Sequence, residues 1–223
     1  MKKTLFLVLS FTVLALVAAS CGGKKKAEAE AQKEQAVADS LKKIETMDKL
    51  ANLAEEPVFD IVTNYGTIRV KLYSGTPKHR ENFAKLALSG YYDGLLFHRV
   101  INGFMIQGGD PLTKDPANAA RFGTGGPDYT VPAEFVPEYT HKKGALAAAR
   151  KGDTANPTKA SSGSQFYIVQ DEANCAQLDG QYTVFGETIE GISTIDKIAS
   201  VEVNARDCPI EDVRIISIKL VEE

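Results

Sequence analysis

The chain has 223 residues, 43% of them hydrophobic and 25% charged, values that suit one globular domain with extra segments. A net charge of −3 supplies no basic face, which argues against a nucleic-acid partner. The three histidines, His79, His98 and His141, are widely spaced and no Cys/His/Asp cluster has zinc spacing, so no metal is expected.

Met1-Lys2-Lys3 is a short basic start, followed by an uncharged, mostly apolar run from Leu5 to Ala19. At about 15 residues the run is shorter than the roughly 20 that span a bilayer, and it has the proportions of a secretory signal. Ala18-Ala19-Ser20 then precedes Cys21, an arrangement that resembles a bacterial lipobox. The expectation is a signal peptide over 1–20, cleavage before Cys21, a diacylglycerol on its thiol, and export to a membrane surface, periplasmic or external. The thiolate is the natural nucleophile for such a transfer, and two or more acyl chains make anchoring stable.

Residues 21–56 read as a tether. Gly22-Gly23-Lys24-Lys25-Lys26 is flexible and polar, and 27–56 is rich in Ala, Glu, Lys and Gln, which favours helix. Val37, Leu41, Ile44, Met47, Leu50 and Leu53 recur every three or four residues as one apolar stripe. That stripe suits a solvated spacer packing weakly on the domain better than a partner helix. Pro57 marks entry into a domain over 57–223.

Val58–Thr63 and Thr67–Tyr73 alternate around Asn64-Tyr65-Gly66, a hairpin signal. Thr76-Pro77 then reads as an N-cap with proline at the first helical position, opening an amphipathic helix over 77–89. Short strands are expected at Leu95–Ile101, Phe104–Gln107, Ala145–Ala149, Gln165–Gln170, Tyr182–Glu187 and Val213–Val221, with a second helix over Ile192–Ile198. Many short strands, two main helices and Gly-rich loops predict a mainly β domain, a closed antiparallel barrel capped by its helices.

Phe97-His98-Arg99-Val100-Ile101, with Asn102-Gly103 and Phe104-Met105-Ile106-Gln107-Gly108-Gly109-Asp110, resembles the signature of cyclophilins. Ser162-Gly163-Ser164-Gln165-Phe166-Tyr167-Ile168 is a second matching block, and Leu178-Asp179-Gly180 followed by Tyr182-Thr183-Val184-Phe185-Gly186 a third. Asn82-Phe83 fits as well, so the likeness covers roughly 57–223 in the family's order. It implies an eight-stranded barrel with two helices and isomerisation of X–Pro bonds, without cofactor, in proline-containing polypeptides.

Elementary chemistry leads to the same reaction requirements. Amide resonance sets a barrier of ~18–20 kcal/mol to X–Pro rotation. In the twisted amide the prolyl nitrogen becomes pyramidal and accepts a hydrogen bond, so a fixed cation aimed at it stabilises the twisted form selectively. Arginine suits that task because it is always charged and directional, and the resemblance assigns it to Arg99. It assigns the proline socket to Phe104, Met105, Tyr167 and Leu178, although composition alone would read Phe104 and Met105 as core. Gln107 matches a position that holds Arg99 and contacts substrate, and Gln165 a second polar contact. Ala149 and Arg150 match a loop whose backbone binds the residue before proline. Next to Arg99, His98 should face the other side of its strand as a structural residue.

Three positions depart from the eukaryotic pattern. Gln177 stands where a tryptophan contacts cyclosporin, so cyclosporin binding should be weak. Tyr182 replaces a histidine at the pocket rim. Tyr167 replaces a phenylalanine, and its hydroxyl needs a partner. Cys175 and Cys208 lie in loops that the family places on one side of the domain, leaving either a disulfide or two unrelated thiols. Two functions fit: an active isomerase assisting folding of exported proteins, or a proline-peptide-binding chaperone module with little turnover. The complete set Arg99, Phe104, Gln107 and Gln165 favours the enzyme.

Overall fold

The structure is a computed structural model that describes residues 21–221, with side chains from residue 30 onward. The signal segment 1–20 and the thiol of Cys21 lie outside the described residues. By contacts the chain divides into a unit ending at Lys42 and one beginning at Lys43. Helix α1 (Cys21–Ala51) takes in the Gly-Lys stretch expected to be flexible and stops short of 52–56. Once a helix is nucleated, each added residue gains a hydrogen bond, so it can run into poor helix formers. Its stripe is split: Val37, Leu41, Ile44 and Met47 are each 60% or more exposed, whereas Leu50 and Leu53 pack on the domain core.

Strands β1 (Val58–Thr63) and β2 (Gly66–Leu72) form the expected hairpin, with Asp60 opposite Arg69 and Ile61 opposite Ile68. Helix α2 (Pro77–Leu88) follows. Its cap differs from expectation: the Thr76 hydroxyl bonds back to the Tyr73 carbonyl, and the Glu134 carboxylate accepts from the N–H groups of Lys78 (3.1 Å) and His79 (3.0 Å). A carboxylate satisfies orphan donors at the positive end of a helix from anywhere in the chain that reaches them.

Next come β3 (Arg99–Ile101), β4 (Met105–Gly108), the short β5 (Thr130–Val131), β6 (Ala145–Ala148), the short β7 (Ser161–Ser162), β8 (Phe166–Val169), β9 (Val184–Glu190), helix α3 (Ile192–Ala199) and β10 (Ile215–Leu220). Eight strands form one antiparallel sheet in the order β10-β1-β2-β9-β6-β8-β4-β3, and β5 pairs with β7. The sheet is curled rather than closed by a strand ladder, a correction to the closed barrel expected. The strand expected over Leu95–Ile101 pairs with β4 only from Arg99 onward. Upstream, the Leu96 N–H is taken by the Thr113 hydroxyl, and the two ends of the sheet meet at the Leu96–Arg214 bridge, flanked by backbone hydrogen bonds from Gly94 and Phe97 to Ile215 and Val213 and from Ile215 to Leu95.

The middle strands β4, β6 and β8 are covered on both faces. Ile106, Leu146, Ala148, Phe166 and Ile168 enter the main core with Phe59, Phe83, Phe185, Ile195 and Ile198. Their neighbours Met105, Ala145, Ala147, Tyr167 and Val169 enter a second cluster with Tyr73, Cys175 and Val184. Alternation across a strand assigns successive side chains to opposite faces, so these strands read as continuous apolar runs. The second cluster forms the floor of the site.

Candidate active site

A cavity of about 280 Å³ lies over the second cluster, lined by Arg99, Phe104, Met105, Gln107, Ala149, Arg150, Tyr167, Leu178 and Tyr182. These positions come from β3, β4, β8, the loop after β6 and the turn before β9. All are residues singled out from sequence. Gln165, the remaining one, lines an adjoining cavity with Gln107, Ala149 and Arg150 and is hydrogen-bonded to Gln107.

Arg99 lies across from Gln107 in the β3–β4 ladder. Val100 enters the main core and Ile101 the second cluster, so Arg99 shares the socket side with Ile101, and His98 turns inward with Val100. His98 is 4% exposed with both ring nitrogens buried and without a hydrogen-bond partner among the described residues. Burial pushes its pKa below the ordinary 6.5. That agrees with a structural histidine.

The contact expected between Gln107 and Arg99 is absent among the described residues. Instead the Gln107 amide donates to Gln165 Oε1 at 3.0 Å. Arg99 has its Nε 3.8 Å from Asp207, a loose, half-exposed pair. Asp207 is hooked to the same strand, its carbonyl accepting from the Val100 N–H at 2.7 Å. The guanidinium fork therefore remains open to the cavity.

Gln165 is 7% exposed and its amide nitrogen donates to the carbonyls of Gly123 (3.1 Å) and Gly125 (2.7 Å). That glycine loop is held by Asp110, fully buried, whose carboxylate accepts from the N–H groups of Leu112, Gly123 and Gly125. A line of hydrogen bonds thus runs from Asp110 through the loop and Gln165 to Gln107 on the cavity wall. Gly109 has φ +88°, and a Cβ there would strike the Ser164 carbonyl. The Ser164 hydroxyl in turn donates to the Gly109 carbonyl. The lack of a Cβ at Gly109 lets the end of β4 and the start of β8 approach this closely.

Ala149 contributes its methyl group to the wall while its backbone is engaged: its N–H donates to Gln165 O and its carbonyl accepts from Ser162 N–H. The Arg150 N–H has no partner among the described residues, and Arg150 lines the cavity, so its backbone is placed to pair with a bound peptide. Its side chain does more than sequence reasoning assigned to it. The guanidinium lies 4.4 Å from the Tyr182 ring centroid, donates to the Gln181 carbonyl at 2.9 Å and pairs with Asp153 at 2.6 Å. A cation over an aromatic face contributes ~0.5–2 kcal/mol, enough to set the rim residue Tyr182 in place.

The Tyr167 hydroxyl finds its partner in His141, with Nε2 at 2.8 Å. The Cys175–Cys208 bond is not formed: both thiols are free. Cys175 is fully buried in the second cluster with its sulfur 3.4 Å from the Phe104 carbonyl. Cys208 lines a separate groove with Phe97, Phe122 and Ile210. Elsewhere Glu134, His79 and Ser161 stand in line at 2.6 Å and 2.9 Å, an arrangement not visible in sequence. His79 and Ser161 are 3% and 1% exposed, so this line ties α2 to β7 and has no access to substrate.

A family model described as cyclophilin type peptidyl-prolyl cis-trans isomerase/CLD matches residues 58–220. A putative peptidyl-prolyl cis-trans isomerase of Staphylococcus haemolyticus is 38% identical over 183 residues, covering 70% of this chain and 87% of that protein. The human peptidyl-prolyl cis-trans isomerase-like 1 is 38% identical over 164 residues, covering 73% and 91%. Among solved structures, the cyclophilin type isomerase of Cryptosporidium parvum superposes with a TM-score of 0.67 at 32% identity, covering 75% of this chain and 99% of the other. The same protein has been solved in the presence of the dipeptide Ala-Pro, with a TM-score of 0.65. With the model match spanning most of the chain and the socket built from the signature residues, this chain belongs to the cyclophilin-type peptidyl-prolyl cis–trans isomerases.

Proposed function

We propose that the chain accelerates X–Pro rotation in exported polypeptides while tethered to a membrane through lipid on Cys21. In this reading the proline ring enters the socket of Phe104, Met105, Tyr167 and Leu178. The residue before proline pairs with the Arg150 backbone, Gln107 fixes the flanking peptide, and Arg99 stabilises the pyramidal nitrogen. The observation that carries it is the open guanidinium fork beside Phe104, Met105, Tyr167 and Leu178 in one cavity of mixed polar and apolar lining. A cation so placed interacts more strongly with the twisted amide than with the planar one, which is the condition for raising kcat. That the Cryptosporidium relative has been solved in the presence of the dipeptide Ala-Pro supports a proline-binding reading of this socket.

Exchange of cis and trans forms in a proline peptide, followed with wild type and Arg99→Ala, tests the assignment. Removing one preorganised donor should cost about 2–4 kcal/mol of transition-state stabilisation, with Arg99's exposure placing the loss at the lower end. Equal turnover by both proteins would sink the role of Arg99. A wild type that binds the peptide without accelerating exchange would favour a binding module.

The boundaries follow the same reading: signal peptide 1–20, lipidated Cys21 and helical tether to 56, isomerase domain 57–223. The apolar run before Ala18-Ala19-Ser20-Cys21 supports export and lipidation. Incorporation of a labelled fatty acid by the wild type but not by Cys21→Ser is the expected result. Weak cyclosporin binding is part of the proposal, since the exposed Gln177 stands in for an apolar indole.

A further inference from the structure

Tyr167 is both the wall of the proline socket and one end of a buried relay. Its hydroxyl meets His141 Nε2 at 2.8 Å, and His141 Nδ1 meets Asp179 Oδ1 at 2.6 Å. Asp179 also accepts the His141 backbone N–H at 2.8 Å. A carboxylate only accepts, so Nδ1 carries the hydrogen in the neutral ring and Nε2 offers its lone pair. Burial of His141, whose side chain is fully enclosed, lowers its pKa and favours that neutral form. The Tyr167 O–H must then donate to His141.

His141 does not line the cavity, so the hydroxyl hydrogen is drawn behind the wall while the ring faces the cavity. The two rings are nearly parallel, 12° apart, and Tyr182 meets Tyr167 edge-on at 6.0 Å. We propose that His141 and Asp179 are positioning residues for prolyl isomerisation. They hold the Tyr167 hydroxyl out of the socket, so a tyrosine presents the apolar face that proline requires.

A buried hydroxyl deprived of its acceptor seeks another, and the open side available to Tyr167 is the socket. This inference rests on the socket reading above, and the test separates the two. KM and kcat are measured for a peptide with one Ala–Pro bond, using the full chain, with His141→Leu and Asp179→Asn each made in the Tyr167 and Tyr167→Phe backgrounds. We expect His141→Leu to raise KM about five- to tenfold with kcat changed less than twofold, and Asp179→Asn to raise KM about two- to fourfold. In the Tyr167→Phe background, where no hydroxyl is left without an acceptor, neither substitution should raise KM by more than twofold. Equal KM increases in both backgrounds, or none in either, would overturn the inference while leaving the isomerase assignment intact. Asp179 is half-exposed and its substitution keeps the cycle readable if His141→Leu does not fold. Absence of turnover by wild type would instead refute the socket reading itself.

Discussion

Gln165→Leu separates the wall of the site from its support. The substitution keeps the volume of a 7% exposed side chain and deletes three hydrogen bonds: the one accepted from Gln107 at 3.0 Å and those donated to Gly123 and Gly125. At ~0.5–1.5 kcal/mol net for each bond the gross loss is about 1.5–4.5 kcal/mol. The Gly123 carbonyl lies on an exposed loop and can turn to water, so a loss of about 2 kcal/mol is expected, or ~4–8 °C in thermal midpoint for a domain of this size. Gln107, no longer held, should explore several rotamers, and kcat/KM should fall about tenfold, equivalent to ~1.4 kcal/mol. Thermal unfolding and peptide exchange are measured on wild type, Gln165→Leu, Gln107→Leu and the double variant. Because the two side chains act through one bond, their effects on kcat/KM should fall short of additive by at least ~0.5 kcal/mol. A midpoint within 1 °C of wild type, or strict additivity, would refute the reasoning.

Gly109→Ala forces a left-handed residue to carry a Cβ that collides with the Ser164 carbonyl. The backbone conformation alone costs ~1–2 kcal/mol, so the thermal midpoint should drop by at least ~2 °C. The pKa values of His79, His98 and His141 all lie below 6.5 in the folded state because burial disfavours the charged ring. The unfolded chain therefore binds more protons on acidification. The contribution of each histidine is complete above pH 6.5 and is lost as pH falls through its folded pKa, with a slope of up to ~1.4 kcal/mol per pH unit. Denaturant titrations from pH 7.5 to 5 should show this fall, and His98→Leu should make it shallower; an unchanged slope would count against a neutral, buried His98. The Cys175 thiol is pushed up to about 11 by burial. Under native conditions an alkylating reagent followed by peptide mapping should therefore modify Cys208 well before Cys175, without prior reduction. Protection of both thiols until reductant is added would restore the disulfide.

The share legible in sequence follows from which interactions are local. Alternation, proline at the start of α2 and the Asn64-Tyr65-Gly66 turn fix the β1–β2 hairpin and both domain helices, because period and turn chemistry are properties of neighbouring residues. The ordered signature blocks likewise marked the residues that line the cavity. Phe104, Met105 and Tyr167 show where that information stops. Core and socket need the same apolar side chains: Met105 and Tyr167 are buried in the second cluster and also line the cavity. The partners of the polar residues were equally out of reach. Gln107 meets Gln165, 58 positions away. Glu134 caps a helix 55 positions upstream, and His141 takes up the hydroxyl of Tyr167. The sequence alone placed the β1–β2 hairpin, α2, α3, most strands of the large sheet and the residues that line the cavity. Tertiary structure decided which hydrogen bonds orient them and how the ends of the curled sheet meet, because long-range partners are chosen by chain segments that meet only after folding.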